Sequence, residues 1–386
     1  MRILINWDYH RKDLTQAFFS MAEEIDFVYL YDFERPSLKC SDDLSVVYWN
    51  DFKSAYDLLN QVKPDKVVFH DIESFYQVAL NIAAKNYGIP TLVVEHGIKV
   101  QHSAYAKETV KVQKSKGGYR SKVQSLIFYL RAFRLKNTFS LIPFIAFIYY
   151  RYRFGITNGL AKCRFSLRKA DMYVNFTETN AAGLIERDGL KEEDLKYIGN
   201  PNYDDFFQYC NKNASFERKD FYLLIDAPFV EDSNFSMPVE VKNKFYDKLN
   251  AFCKARGSRL KVKLHPKSYS QSYFLRDSNI EYITECSTME YILKAKGCFL
   301  IHISTLSPLA ILYSKCIFFD TYPVFNKNIT ALNVVPVLDF WDFNIENIAF
   351  KHLDTNKEQV LKETFFKYTD GKATERLRNI LLGGAV

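Results

Sequence analysis

Several short polar clusters each close an apolar run, and their residue types suit acid–base or phosphate chemistry. Glu95-His96-Gly97 follows TLVV, and His70-Asp71 follows KVVF. Lys263-Leu264-His265-Pro266 closes a run that begins at Arg259, and His302, Ser304, Thr305 and Ser307 follow the run that begins at Cys298. A carboxylate beside an imidazole can deprotonate a hydroxyl, so Glu95 or His96 is a candidate general base. Neighbours on a strand point to opposite sides, so one of the two faces a ligand. His70, Asp71 and Asp8 are further base candidates. Lys263 and His265, two residues apart, share a strand face and could serve one phosphate. Hydroxyls at a helix start, as in Ser304, Thr305 and Ser307, suit an anion, because unpaired amides and the helix dipole point there. The alternative there is plain N-capping by Ser304 or Thr305.

These clusters need elements that bring them together. Strand-like runs alternate with helical spacing from Arg2 to Gly199: Asp26–Tyr31, Val67–Phe69, Thr91–Val94 and the KADMYVNF segment read as strands, with helices over Phe52–Val62, Ser74–Asn86 and Glu178–Asp188. Gly199-Asn200-Pro201 breaks regular structure and marks a boundary, where Asn200 could touch a ligand. The rhythm repeats beyond it, with a helix predicted over Ser287–Ala295 on the capping-box spacing Ser287 to Glu290 and one or two helices over Thr355–Leu382. The pattern predicts an α/β protein of two tandem Rossmann-like domains, 1–200 and 201–386, facing a shared cleft. Open α/β sheets bind ligands at the C-terminal ends of their strands, where the polar clusters fall.

Residues 99–169 break the rhythm and read as an insertion of helices. From 99 to 170 there are sixteen Lys or Arg and one acid, a net +15 against +7 for the chain, so the rest carries −8. Basic residues alternate there with Leu, Ile, Phe and Tyr, and the apolar run 140–150 falls short of the roughly 18 residues of a spanning helix. This composition predicts helices lying on an anionic membrane surface. A protein or polyanionic glycan contact comes second, and nucleic acid is not expected as a partner.

The seven cysteines are scattered without a CxxC pair, which fits a reducing compartment rather than a zinc site or a disulfide framework. Asp42-Asp43 and Asp204-Asp205 lack ligand spacing, so no metal is expected. Neither GxGxxG nor GxxxxGK[ST] occurs, which argues against dinucleotide oxidoreductases and P-loop enzymes. The start MRILINWDYH has no secretory pattern, so the expected location is cytoplasmic, peripheral on the inner face of the cell membrane.

Taken in order, Glu95-His96-Gly97, KADMYVNFTETN, Gly199-Asn200-Pro201, Lys263-Leu264-His265-Pro266, Ser304-Thr305, Asp370-Gly371-Lys372 and Glu375-Arg376 resemble bacterial surface-polysaccharide glycosyltransferases of the GT-B fold. Capsule sialyl- and Kdo-type transferases and CDP-glycerol glycerophosphotransferases are the most similar in pattern. The resemblance implies a metal-independent transferase that moves a sugar from a nucleotide-activated donor to a cell-surface glycan or lipid-linked acceptor. It implies donor contacts from His265, Ser304 and Thr305, and a base at His96 or Glu95. Many relatives that use UDP- or ADP-sugars carry a glutamate in the helix after the Ser/Thr turn, where this chain has Leu306-Ser307-Pro308-Leu309-Ala310. That departure favours a cytidine nucleotide. A CDP-polyol phosphotransferase, a UDP-sugar 2-epimerase and a non-catalytic membrane-tethered scaffold are the alternatives.

Overall fold

Short runs of Val, Ile, Leu and Phe, buried on both faces, become the strands of two wholly parallel sheets. A computed structural model describes residues 1–384 except 8, 10–11, 32–43, 96, 98–118, 135–140, 164–165, 214–215, 233–234, 236 and 285–287. The first sheet comprises β1 (Arg2–Asn6), β2 (Asp26–Tyr31), β3 (Ser45–Tyr48), β4 (Lys66–Phe69), β5 (Thr91–Val94), β6 (Met172–Asn175) and β7 (Leu195–Tyr197), in the order β3-β2-β1-β4-β5-β6-β7. The second comprises β8 (Phe221–Ile225), β9 (Arg259–Lys263), β10 (Ile280–Ile283), β11 (Cys298–Leu300), β12 (Cys316–Asp320) and β13 (Val337–Asp339), in the order β10-β9-β8-β11-β12-β13. Parallel pairing requires a crossover after each strand, so every strand of a sheet ends at the same edge.

The described crossovers of the first sheet are α1 (Lys12–Phe19), α2 (Ala55–Val62), α3 (Phe75–Asn86), α4 (Tyr119–Leu130), α5 (Leu141–Lys162) and α6 (Glu178–Asp188). Those around the second are α7 (Asp204–Lys212), α8 (Val239–Lys254), α9 (Met289–Lys294), α10 (Leu306–Tyr313), α11 (Pro323–Thr330), α12 (Thr355–Phe365) and α13 (Ala373–Leu382). Local chemistry sets several of their ends. Ser74 and Gln77 form a reciprocal capping box on α3, and Gly189 ends α6 in the left-handed conformation. The expected capping box from Ser287 is not what starts α9. Ser287 lies outside the described residues, Thr288 occupies the N-cap without a side-chain bond, and Glu290 pairs with Lys294 at 2.7 Å instead.

The insertion is part of the first sheet's core. α3 is buried from Phe75 to Ala84, and α4 and α5 cover it. Tyr129 stacks on Phe144 with ring centroids 4.1 Å apart and donates its hydroxyl to the Phe144 carbonyl at 3.0 Å. Phe147 meets Phe75 edge to face at 5.6 Å. α5 breaks at Gly155, whose φ of 76° lies in the left-handed region. Among the described residues no helix is long and apolar enough to cross a membrane.

The last helix does not stay with the second sheet, as its place in the sequence implies. α13 crosses back, and Leu377, Ile380 and Leu381 join Ile3, Ile5, Phe18 and Val68 in the core of the first. Lys66 Nζ donates to the Leu381 carbonyl at 2.6 Å. The helix start is capped from another element: Asp204 accepts the amides of Ala373 at 2.9 Å and Thr374 at 2.7 Å. Gln208 donates to the Gly371 carbonyl at 2.8 Å. Gly371 has φ +70°, and a Cβ there would lie 2.7 Å from Gln208 Cγ and 2.9 Å from the Asp204 carbonyl oxygen. Gly371→Ala should therefore cost about 1–3 kcal/mol, seen as a lower urea midpoint with an unchanged m-value. An unchanged midpoint would mean that this clasp yields to a side chain at no cost.

Candidate functional site

At the second sheet's edge, β9 runs into His265-Pro266. Proline ends the ladder, and a 3₁₀ turn follows over Pro266–Ser268. His265 caps that turn: its Nδ1 accepts the Lys267 amide at 3.2 Å. In the neutral ring the proton must then sit on Nε2, which makes His265 a hydrogen-bond donor, the polarity a phosphate oxygen needs. Lys263 does not join it. Its ammonium is buried and donates to the Leu264 carbonyl at 2.9 Å and the Tyr269 hydroxyl at 2.8 Å. The strand ends at Lys263, so the face-sharing rule of a strand does not extend to His265.

β11 leads into a second turn at this edge. Ser307, fully buried, accepts the Ser304 amide at 3.0 Å and donates to the His302 carbonyl at 3.0 Å. It fixes the turn from inside rather than facing a ligand. Thr305 holds the N-cap position of α10 in helical conformation, and no side-chain capping bond is made there. Ser304 and Thr305 are both half-buried, at the start of the helix. β8 separates β9 from β11, so the two turns lie two strand spacings apart, roughly 10 Å. Between them Asp226 ends β8, buried and paired with the buried Lys242 at 2.9 Å. Burial pushes the Asp226 carboxyl up, and the lysine opposes it. Sequence spacing gave no sign of this pair, because Lys242 arrives from α8.

At the first sheet's edge Glu95 is buried at the end of β5, and its Oε2 accepts the Phe176 amide at 2.7 Å. Glu95 lines a small cleft with Trp7, Phe18, Phe176, Asn202 and Leu377. His96 and Asp8 lie outside the described residues. His70, just after the adjacent strand β4, places Nδ1 2.9 Å from the Asn6 carbonyl. A carbonyl only accepts, so the basic nitrogen of the neutral His70 ring is Nε2, the opposite arrangement to His265. Asp71 is bound elsewhere. Arg187 meets it at 3.0 Å and also pairs with Glu73 and, at 2.9 Å, with Asp188, which Arg168 reaches at 2.5 Å. Burial alone would raise the Asp188 carboxyl, but the Arg187 and Arg168 guanidiniums hold it below its ordinary value. This buried network makes Asp71 a structural anion, not a poised base.

The two edges meet at Gly97. A Cβ built there would sit 3.9 Å from Thr305 Oγ1, so the turn after β5 faces the turn after β11. The junction holds them in register. Gly199 needs its φ of +80°, the buried Asn200 accepts the Asn202 amide at 3.0 Å through Oδ1, and the Tyr203 hydroxyl donates to the Thr305 carbonyl. The Asn200 Nδ2 is buried, and the Asn200 side chain lies against the Tyr203 hydroxyl. The structure thus brings the Gly97 turn to Thr305, with Asn200 and Tyr203 at the junction, places Glu95 in a small cleft beside Asn202, and gives Lys263, Ser307 and Asp71 partners within the protein. Tyr203, which spans the junction, carries no sequence signal beyond its place after Pro201.

The model of the alpha-2,8-polysialyltransferase family matches residues 50–322, more than two thirds of the chain. That family consists of glycosyltransferases. Among solved structures, a variant of the wall teichoic acid polymerase TagF superposes with a TM-score of 0.56 at 10% identity, covering 99% of this chain and 88% of that one. A putative UDP-N-acetylglucosamine 2-epimerase from Listeria monocytogenes gives 0.51 at 9% identity, covering 99% and 95%. The S. aureus MnaA–UDP structure gives 0.50 at 12% identity, covering 98% and 95%. These likenesses establish the GT-B-like arrangement of the two sheets. No curated protein matches the chain significantly.

One residue just after β11 should leave a pH signature. His302 packs against the rings of Phe229 and Phe235 at 5.6 and 5.4 Å. Burial lowers its pKa to about 4. The unfolded chain then binds the extra proton between about pH 6.5 and 4, so this contribution is intact above that window and is lost as pH falls through it. The slope should reach at most about 1.4 kcal/mol per pH unit. Urea titrations of wild type and His302→Gln should show a shallower loss in the variant across that window. Identical slopes would contradict the assignment.

Proposed function

The chain belongs to the alpha-2,8-polysialyltransferase family, and we propose that it transfers sialic acid from CMP-sialic acid to a growing surface polysaccharide. The observation that supports this reading is the approach of Gly97 to Thr305, which sets the turn after β5 against the turn after β11; in this reading the first meets the acceptor and the second the donor. In this reading CMP is the leaving group. His265 Nε2 donates to its phosphate, and Ser304, Thr305 and the first amides of α10 complete the contact. Charge that builds on the departing phosphate is met by these donors and the helix dipole. This chemistry asks for no metal ion.

The acceptor hydroxyl approaches from the first sheet and loses its proton to Glu95 or His96. The bond from Glu95 Oε2 to the Phe176 amide orients the carboxylate, and Gly97 leaves room for the sugar beside it. In this reading the buried Asn200, at the junction, also donates to a substrate. The glycan or lipid-linked acceptor is met at the cytoplasmic face of the cell membrane.

His265→Ala should weaken CMP binding by roughly 10- to 100-fold, the loss of one charge-assisted hydrogen bond, measured by calorimetry. Glu95→Gln and His96→Ala should keep CMP binding, and the one that removes the base should lower kcat by roughly 10²- to 10⁴-fold on an oligosialic acceptor. CMP binding unaffected by His265→Ala would refute the phosphate contact. Preference for UDP over CMP would refute the donor.

A further inference from the structure

The inner faces of α4 and α5 are spent on the core, but their outer faces are not polar. On α5, Ile142 is 82% exposed, Ile145 55%, Tyr149 60% and Tyr152 57%. These positions repeat at helical spacing and form a single stripe. On α4, Val123 (37%), Ile127 (42%) and Leu130 (47%) form a second. The helices are joined through Tyr129 and Phe133, which pack on Phe144, so both stripes belong to one rigid helix pair. A solvated surface helix normally carries charge on this face.

The flanks identify the occupant. Lys122 on α4, Arg131 and Arg134 in the segment that follows it, and Arg153 on α5 are exposed, and the sequence holds no Asp or Glu from 109 to 170. Arg131 and Arg134 are held in place: one donates to the Lys53 carbonyl at 2.6 Å, and the other lies 3.7 Å over the Tyr56 ring. A second copy of this chain would set like charges face to face, which opposes association. A polyanionic glycan would answer the charge but not the isoleucines. An anionic bilayer answers both, with tyrosines at the headgroup level and aliphatic side chains below it.

We propose that the outer face of the α4–α5 pair docks on an anionic phospholipid surface, with Ile142, Ile145, Tyr149, Ile127 and Leu130 entering the interface. The helices stay folded on the first sheet and do not peel away, because Phe144, Phe147, Phe128 and Tyr129 remain in its core. The inference deepens the membrane-side acceptor reading, yet its test is independent of turnover.

The test is flotation of the full chain with vesicles of phosphatidylglycerol and phosphatidylethanolamine, against phosphatidylcholine alone. The wild type should float with the anionic vesicles, release as salt rises, and ignore the neutral ones. The triple variant Ile142→Ser, Ile145→Ser, Tyr149→Ser should bind roughly tenfold or more weakly. It alters exposed positions only, so its melting temperature and its turnover of a soluble acceptor should match wild type. Lys122→Gln with Arg153→Gln should weaken binding and flatten its salt dependence. Wild type that ignores anionic vesicles, or a triple variant that floats like wild type, would overturn the proposal. So would light scattering that shows a dimer which the triple variant dissolves. A chain that floats as expected but transfers nothing would leave this surface standing and remove the transferase reading instead.

Discussion

Parallel pairing is the constraint on which the rest depends. It delivers every strand's C-terminal end to one edge, so each sheet offers a row of turns. What remains is to hold two such edges face to face. The stretch from Gly199 to Asp204 does this: Tyr203 reaches the Thr305 carbonyl of the second sheet's turn, and Asp204 caps the helix that returns to the first sheet. Leu377, Ile380 and Leu381 then bury that helix among Ile3, Ile5 and Val68. The carboxylate of Asp204 is pushed up by its burial, and the two amides it accepts offset part of that cost.

Within that frame, small hydrogen bonds decide what each side chain can do. Two histidines stand at comparable strand ends with opposite tautomers. His265 takes an amide proton on Nδ1 and presents a donor, whereas His70 gives its Nδ1 proton to a carbonyl and keeps an acceptor. An anion suits the first and a hydroxyl proton the second. Two sets of buried opposite charges hold the structure, Asp226 with Lys242 and Asp188 with its two arginines. Removing one partner of such a pair leaves an uncompensated charge, and Asp71 joins the second set through Arg187.

Much of this was legible in the sequence, because period and punctuation are local. Strand runs ending in His265-Pro266 or Glu95-His96-Gly97 announced the edges, and Gly189 and Ser74 announced helix ends. Non-local packing was not legible. Ser45–Tyr48 is a four-residue edge strand with no alternation to betray it, and Pro323–Thr330 starts a helix at a residue that also reads as a turn. Lys263 turned inward because Tyr269, six residues on, offers it a hydroxyl. The basic insertion read as a surface element throughout, since composition does not reveal that Tyr129 and Phe147 face inward while Ile142 and Tyr149 face out. The crossing of α13 has no sequence signature at all.

The central claim is that one site is assembled from both sheets, with the donor phosphate held by the second. A crystal structure of the CMP complex tests it most directly. The account predicts a phosphate oxygen within hydrogen-bond distance of His265 Nε2 and of the Ser304–Thr305 turn, on the side that faces Gly97. A nucleotide seated at the first sheet's edge, or one that leaves His265 untouched, would contradict it.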